Sequence, residues 1–289
     1  MEKVTTTNTT FTNISPALKE NIIVGKKYRF TILTERLIRL EYNTSGLFED
    51  RITQRVIFRK FPKVEFKFLE NNTRLRITTS YFTLEYTKES FFQGKSFTPE
   101  SNLSIKLNNT NQSWFYGNKE IRNYGSINYS LDDFQGKIPS AKGLYSTDGF
   151  ASFDDSDSLA LDENGEFVNR PQNIDLYIFM YRKDLGLCLR DYYLLTGYPC
   201  LLPRSAFGIW WYKNNNYNYN DILNIINNFA QEQTPLSIFL LGNNCLEKSN
   251  PYVLNNNLKI NELTSSLKNI NFGITFDLVN SPTINKENT

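Results

Sequence analysis

The feature that most constrains the fold is a change of sequence pattern near Pro203. Before it, short runs rich in β-branched and aromatic residues alternate with polar turns, as in "KYRFTILTERLIRLEYN" and "RLRITTSYFTLEY". Many short strands joined by such turns favour an antiparallel β-sandwich. After Pro203, apolar runs alternate with a segment of helical spacing, which is typical of parallel strands connected by helices. We therefore predict a mainly β chain in which a sandwich precedes a β/α segment.

The β/α segment is short for a closed barrel. Its predicted strands are "SAFGIWWY", "PLSIFLLG" and "NFGITFDLV", and "KINELTSSLKNI" is a weak second helix. The first helix, from about Asn220 to Ala230, has four apolar residues on one face: Ile222, Ile225, Ile226 and Phe229. Three strands and two helices cannot close an eight-stranded barrel. We expect a flexible tail over 1–21, a sandwich over 22–203 and an incomplete barrel over 204–289.

Composition excludes several kinds of chemistry. The chain has no histidine, which removes Ser/His and Cys/His catalysis and histidine-ligated metals. Its three cysteines show no CxxC spacing, so we expect neither a zinc site nor a disulfide framework, and no cofactor. A net charge of +2 gives no drive toward nucleic acid. Without an apolar leader or a membrane-length apolar stretch, we expect a cytoplasmic protein with no membrane partner.

The segment "PLSIFLLGNNC" has an unusual end for a strand of this kind. In α/β units the chemistry lies at the carboxyl ends of strands. Here the apolar run is followed by Gly242, Asn243 and Asn244, with no carboxylate and no thiol before Cys245. Glycoside hydrolysis, a large reaction class that needs only carboxylates, therefore lacks an obvious group at this position.

Four segments, in the same order along the chain, resemble glycoside hydrolase family 31, the retaining α-glucosidase and α-xylosidase family. "LTERLIRLEYNTSGLFEDRITQRVIFRKFP" looks like its N-terminal, galactose-mutarotase-like sandwich, and "GLYSTDGFASFDDSDSLALDENG" is similar to a characteristic sandwich loop. "DLYIFMYRKDLGLCLRDYYLLTGYPCLLPRSAFGIWW" resembles the junction between sandwich and barrel. "PLSIFLLGNNC" falls on a strand that ends in aspartates in the family. The resemblance runs from about residue 22 to 280.

The resemblance implies that the reaction's two carboxylates are missing. Gly242 and Asn244 take the place of two aspartates, and Cys245 that of a tryptophan. The family's nucleophile and its acid/base aspartate would both lie beyond Thr289. The expectation is a truncated family 31-like protein of carbohydrate metabolism, related to hydrolases of O-glycosyl bonds but inactive alone, a pseudoenzyme without catalytic residues of its own.

The candidate substrate-binding residues each have a structural alternative. Through the resemblance, Asp148, Asp154 and Asp155 belong to a loop that shapes the sugar pocket, although Asp-Gly and Asp-Asp-Ser are also ordinary turn sequences. Trp210 and Trp211 follow the first barrel strand, where their rings could stack on a sugar or fill the core. One further candidate, Asp277, ends the strand "NFGITFD", a position where barrel enzymes place functional groups. The structural alternative is that Asp277 is a solvated residue at the end of the strand.

Two kinds of function remain open. One is the N-terminal part of a family 31 α-glycosidase, for which the partners would be an α-glucoside-like carbohydrate and a second chain that completes the barrel, or a self-associating copy. The other is a non-catalytic sandwich that binds carbohydrate or a partner through its loops. Sugar mutarotation on a related sandwich requires histidine acid–base catalysis, and the lack of histidine argues against it.

Overall fold

The structure, a computed structural model, describes residues 13–95, 100–125, 141–171, 173–248 and 250–274. The chain divides into two compact units, Met1–Pro199 and Cys200–Thr289. We call them the sandwich unit and the parallel unit and describe each by itself.

The sandwich unit contains two five-stranded antiparallel sheets, which confirms the predicted sandwich. Its strands, in chain order, are β1 (Ile22–Val24), β2 (Tyr28–Thr34), β3 (Leu37–Tyr42), β4 (Lys67–Glu70), β5 (Arg74–Thr78), β6 (Phe82–Thr87), β7 (Leu103–Leu107), β8 (Ser113–Phe115), β9 (Ala151–Asp154), β10 (Ala160–Leu161), β11 (Phe167–Val168) and β12 (Ile174–Phe179). Sheet A has the order β1-β2-β3-β12-β9, sheet B runs from β4 to β8 in sequence, and β10 and β11 form a separate pair.

Sheets A and B pack face to face over one apolar core. Sheet B shows the alternation expected of a half-solvated sheet, because Leu75 and Ile77 of β5 are buried while Arg74 and Arg76 are exposed. The inward side chains of sheet A, such as Phe30, meet those of sheet B in this core. One face of sheet B therefore remains open to solvent.

Sheet A is covered on both faces, and this explains its composition. Strand β3 is buried along its whole length. Its second face is covered in part by helix α1 (Leu185–Thr196), which begins at the N-cap Asp184 and ends at Gly197. Sequence reasoning assigned this part of the chain to β structure and did not predict the helix. The leucines and tyrosines of α1 suit a strand as well as a buried helix face, so periodicity alone does not separate the two.

Residues 13–21, within the predicted flexible tail, are attached to the sandwich unit. The buried Asn21 side chain donates to the Pro62 carbonyl oxygen at 2.8 Å and accepts from the Val64 N–H at 3.0 Å. The Ser15 N–H donates to the Asp50 carbonyl oxygen at 2.8 Å. This stretch therefore forms part of the folded unit. Residues 1–12 lie outside the described residues.

The parallel unit follows the predicted β/α pattern. Its elements are β13 (Ile209–Tyr212), α2 (Tyr219–Gln231), β14 (Leu236–Leu241), β15 (Leu246–Glu247), β16 (Asn250–Leu254), α3 (Ile260–Ser266) and β17 (Asn271–Ile274). β13, β14 and β17 form one sheet, in that order, and pair in parallel. β15 and β16 form a small antiparallel hairpin in the connection to α3. The predicted parallel segment after the sandwich is thus confirmed.

Helix α2 owes its start to a reciprocal capping interaction. The Asn218 side chain accepts from the Asp221 N–H at 3.1 Å, and the Asp221 carboxylate accepts from the Asn218 N–H at 2.9 Å. Its apolar face, with Ile222 and Ile226, is buried against Phe239 and Leu241 of β14. Across the described part of the chain, no helix has the length and apolar character needed to cross a membrane.

Candidate functional site

Asp148 lies in a turn of the sandwich unit. Gly149 follows it at φ +79°, a conformation that favours glycine, so the turn interpretation of Asp-Gly is sound here. The Asp148 carboxylate is partly exposed and accepts from the Arg122 guanidinium at 3.3 Å. It is accessible to a ligand, but it already has a cationic partner.

Asp154 is exposed at the end of β9. Its carboxylate accepts from the Ser156 N–H at 3.0 Å, which closes a local turn. Its backbone oxygen accepts from Arg55 at 2.6 Å. No hydrogen bond in the described structure links it to Asp148 or Asp155, although Asp155 is its neighbour in sequence.

Asp155 is fully buried, so its carboxylate faces the interior of the sandwich unit rather than a ligand. It accepts from the Thr53 hydroxyl at 2.8 Å and lies 3.8 Å from the Arg170 guanidinium. Burial, reinforced by the nearby Asp175 carboxylate, raises the pKa of Asp155.

Asp155 borders a buried ionic network on the second face of sheet A. Arg39 and Asp175 form a bidentate pair, with both nitrogen–oxygen distances 2.7 Å. Arg29 forms a similar pair with Glu41, at 2.6 and 3.0 Å. Strand β3, which carries Arg39 and Glu41, pairs with β2 on one side and with β12 on the other, so the charged residues of the three strands are cross-strand neighbours.

The carboxylates of this network differ in pKa. Burial works to raise the pKa of Asp175, but the Arg39 guanidinium outweighs it and holds that pKa well below the usual range. Burial dominates at Glu41 and raises its pKa. Perturbed carboxylates can mark active sites. Here Glu41 and Asp175 are fully enclosed by protein, so the network serves the fold.

The two tryptophans of β13 have different surroundings. Trp211 packs edge-on against Phe229 of α2, with ring centroids 5.6 Å apart, and belongs to the core of the parallel unit. Trp210 is 50% exposed, and its indole N–H donates to the Ala206 carbonyl oxygen at 3.0 Å. Only Trp210 therefore presents a substantial ring surface to solvent. Asp277 lies outside the described residues.

Asparagines join the segments that follow β13 and β14. The Asn244 side chain donates to the Asn214 carbonyl oxygen at 3.1 Å. A Cβ at Gly242 would lie 2.4 Å from the Asn214 side-chain oxygen, so this close approach requires glycine. The buried Cys245 thiol donates to the Asn215 carbonyl oxygen at 3.3 Å. Amide and thiol contacts within the protein therefore occupy this carboxyl edge.

Within the sandwich unit, no described contact joins the candidates Asp148, Asp154 and Asp155 to one another. Asp148, Asp154 and Asp155 each bind a different partner, as given above. No group of three or more Cys, Asp or Glu side chains among the described residues is arranged to hold a metal ion. Sequence reasoning missed the Arg39–Asp175 pair. A usable signal was the alternation of Leu37, Arg39 and Glu41 within a strand that is otherwise apolar.

Comparisons with solved structures identify the architecture. A GH31 α-xylosidase from a soil metagenome, complexed with xylose, superposes with a TM-score of 0.56 and 11% identity, covering 88% of this chain and 46% of its own. A chain of an ER glucosidase II heterodimeric complex superposes with a TM-score of 0.52 and 10% identity, covering 89% of this chain and 43% of its own. A GH31 α-xylosidase from Xanthomonas citri superposes with a TM-score of 0.51 and 9% identity, covering 78% of this chain and 45% of its own.

The fold is thus that of GH31 enzymes, which combine an N-terminal sandwich domain with a barrel. This chain spans less than half the length of each of those three structures. No family model matches the sequence, and no curated protein matches it. The predicted family resemblance is therefore confirmed at the level of the fold.

Proposed function

We propose that residues 1–289 form the sandwich and the opening barrel strands of a GH31-type α-glycoside hydrolase, and that they do not hydrolyse glycosides by themselves. The observation that carries this proposal is the fold likeness, which extends over 88% of the chain and therefore reaches into both units. The similar structures include an α-xylosidase complexed with xylose, so an α-linked sugar is the substrate class we assign.

The proposed lack of activity rests on the surroundings of the carboxylates. A retaining glycosidase needs two carboxyl groups about 5–5.5 Å apart, flanking the glycosidic bond. Among the described candidates, Asp155 is buried, Asp148 is paired with Arg122, and Asp154 closes a turn. None of them forms a pair of carboxyl groups open to a substrate.

The direct test is hydrolysis of aryl α-xylosides and aryl α-glucosides by the purified chain. We expect no release of the aryl group above the buffer background. The variants Asp148→Asn and Asp154→Asn should give the same background as the wild type. Release that persists through repurification and disappears in either variant would show that this chain carries catalytic groups after all.

Within this proposal, Trp210 is the aromatic residue for a sugar to stack on. Its ring is half exposed, whereas Trp211 belongs to the core. Titration with xylose or glucose should change the tryptophan fluorescence of the wild type and not that of Trp210→Phe. An unchanged response in Trp210→Phe would assign the effect to another residue.

We also propose that the parallel unit associates with further strands, from a second chain or from another copy. Strands β13 and β17 each have a single strand neighbour among the described residues, and Trp210 and Tyr212 of β13 are about half exposed. Strand edges of this kind invite pairing. Light scattering over a dilution series should show concentration-dependent association, and a monomer at every concentration would contradict self-association.

A further inference from the structure

The outer face of sheet B carries two adjoining cavities that none of the functions above uses. One has a volume of about 400 Å³ and the other about 750 Å³. Both are lined by Arg76, Glu85 and Ser104, so they form one continuous depression across β5, β6 and β7. We call it the sheet B cleft. Each of the two volumes lies in the range of ligand-binding cavities.

The cleft is lined mainly by polar side chains, and several of them have no protein partner among the described residues. Arg76 and Glu85 pair with each other at the centre. Arg74 lines one end and Lys106 the other, and neither forms an ion pair with a described residue. Ser104 and Thr87 line the cleft between them, and the described structure gives their hydroxyls no hydrogen bond. These groups are available to a ligand.

Charge selects an acidic ligand. The charged residues that line the cleft are three cations, Arg74, Arg76 and Lys106, and two carboxylates, Glu70 and Glu85. Glu85 pairs with Arg76, and Glu70 pairs with Lys88. Arg74 and Lys106 are therefore the charges in the cleft that no described carboxylate balances, and they attract anions.

The spacing selects an extended ligand. Arg74 is paired with Thr87 of β6, and Lys106 with Thr83 of the same strand. The two cations thus lie on the two strands that flank β6, and their partners on β6 are four residues apart. The backbones of Arg74 and Lys106 are therefore separated by roughly 17 Å. A monosaccharide does not span this distance, but an oligosaccharide does.

The side chains that line the cleft favour a sugar ligand over a peptide or a nucleic acid. Bound peptides add to the edge of a sheet, and this cleft lies on a face. Single-stranded nucleic acid needs aromatic rings to stack on. Among the described residues that line the cleft, the one aromatic residue is Tyr86, whose ring is buried in the core. Hydroxyl, amide and guanidinium groups match the hydroxyls and acid groups of a glycan.

We propose that the sheet B cleft binds an acidic oligosaccharide, with Arg74 and Lys106 contacting its carboxylate or sulfate groups and Ser104 and Thr87 its hydroxyls. This inference rests on the cleft alone and stands whether or not the GH31-type function does.

Calorimetric titration of the full chain tests the proposal with defined probes. An oligogalacturonate hexamer and a heparin-derived hexasaccharide distinguish carboxylate from sulfate, and maltohexaose is the neutral comparison. We expect at least one acidic probe to bind, more weakly at high salt, and roughly tenfold more tightly than maltohexaose.

Matched variants locate the site. The double variant Arg74→Ser/Lys106→Ser should weaken binding of the acidic probe roughly tenfold, because two charge contacts are lost. The control Lys60→Ser/Lys183→Ser removes the same charge from exposed positions elsewhere in the sandwich unit and should leave the affinity unchanged. Ser104→Leu should weaken binding at low and high salt alike, and all variants should keep the wild-type melting temperature.

Three results would overturn the proposal. The first is that neither acidic probe binds. The second is an equal loss of affinity in both double variants, which would reduce the effect to net charge. The third is tighter binding of a poly-glutamate peptide or of single-stranded DNA than of either acidic oligosaccharide.

Discussion

The two units of this chain stabilise their interiors in different ways. The sandwich unit buries ionised groups, with Arg39, Glu41 and Asp175 almost or fully inaccessible on the second face of sheet A. In the described part of the parallel unit, the buried residues are apolar side chains and Cys245, and none carries a charge. The first interior depends on partners for its charges, and the second depends on packing. The same kind of mutation should therefore have different consequences in the two units.

The three tryptophans allow each unit to be observed separately. Trp114 belongs to the sandwich core, and Trp210 and Trp211 belong to β13. A background of Trp210→Phe/Trp211→Phe reports on the sandwich unit, and a Trp114→Phe background reports on the parallel unit.

The largest effect is expected from breaking the buried pair in the sandwich unit. Arg39→Leu leaves the Asp175 carboxylate buried without its bidentate partner and should lower the free energy of unfolding of this unit by about 4 kcal/mol. Urea denaturation followed by Trp114 fluorescence measures it. Arg76→Leu, at the exposed Arg76–Glu85 pair, is the control and should cost about 1 kcal/mol or less. Equal effects of the two variants would contradict the structural role of the buried network.

A cavity in the parallel unit should have the next largest effect. Ile222→Ala removes a fully buried side chain from α2 and should destabilise this unit by about 3 kcal/mol, through lost burial and the space left behind. Urea denaturation followed by the β13 tryptophans measures it. The exposed Asn224→Ala on the same helix is the control. If Trp114 fluorescence shifted as much as that of the β13 tryptophans, the two units would unfold as one.

A pH series distinguishes the two interiors further. Because the pKa of Asp155 is raised in the folded state, its contribution to stability is full below the ordinary carboxyl pKa and is lost as pH rises through the folded-state pKa. Asp155→Asn lacks this loss, so its stability relative to wild type should increase with pH above about 4. Denaturation at a series of pH values measures the difference, and a difference that stays constant across the series would contradict the prediction.

Asp175 should act in the opposite direction within the same network. Its pKa is lowered in the folded state, so its contribution is present above the ordinary carboxyl pKa and is lost as pH falls through the folded-state pKa. Acid should therefore destabilise the wild-type sandwich unit before the parallel unit, whose described buried residues carry no charge. Equal sensitivity of both units to acid would contradict this contrast.

The smallest effect is expected at the start of α2. Asn218→Ala removes the cap and should cost about 1 kcal/mol of parallel-unit stability. The exposed Asn216, two residues earlier and without such a contact, gives the matched control Asn216→Ala. Thermal denaturation followed by the β13 tryptophans suffices, and equal effects at both positions would contradict the capping role.

Much of the architecture could be predicted from local pattern. The alternation in sheet B and the helical spacing of Ile222, Ile226 and Phe229 both reflect one buried face, which periodicity reports directly. The helix α1 was not predictable in this way, because a segment rich in leucine and tyrosine gives no clear period. The candidate site was less predictable still, because Asp154 and Asp155 are neighbours in sequence and yet one is exposed and the other fully buried.

The sequence by itself determined the order of the two kinds of sheet and, through its lack of histidine, the chemistry that the chain cannot use. Only the tertiary structure decided where each charge lies. A strand that alternates Arg39 and Glu41 with apolar residues predicts a solvated face, but in the structure that face is covered. The buried Arg39 charge is balanced by Asp175 of β12, which lies far along the chain. Such long-range pairing is set by how the strands assemble, and no local pattern encodes it.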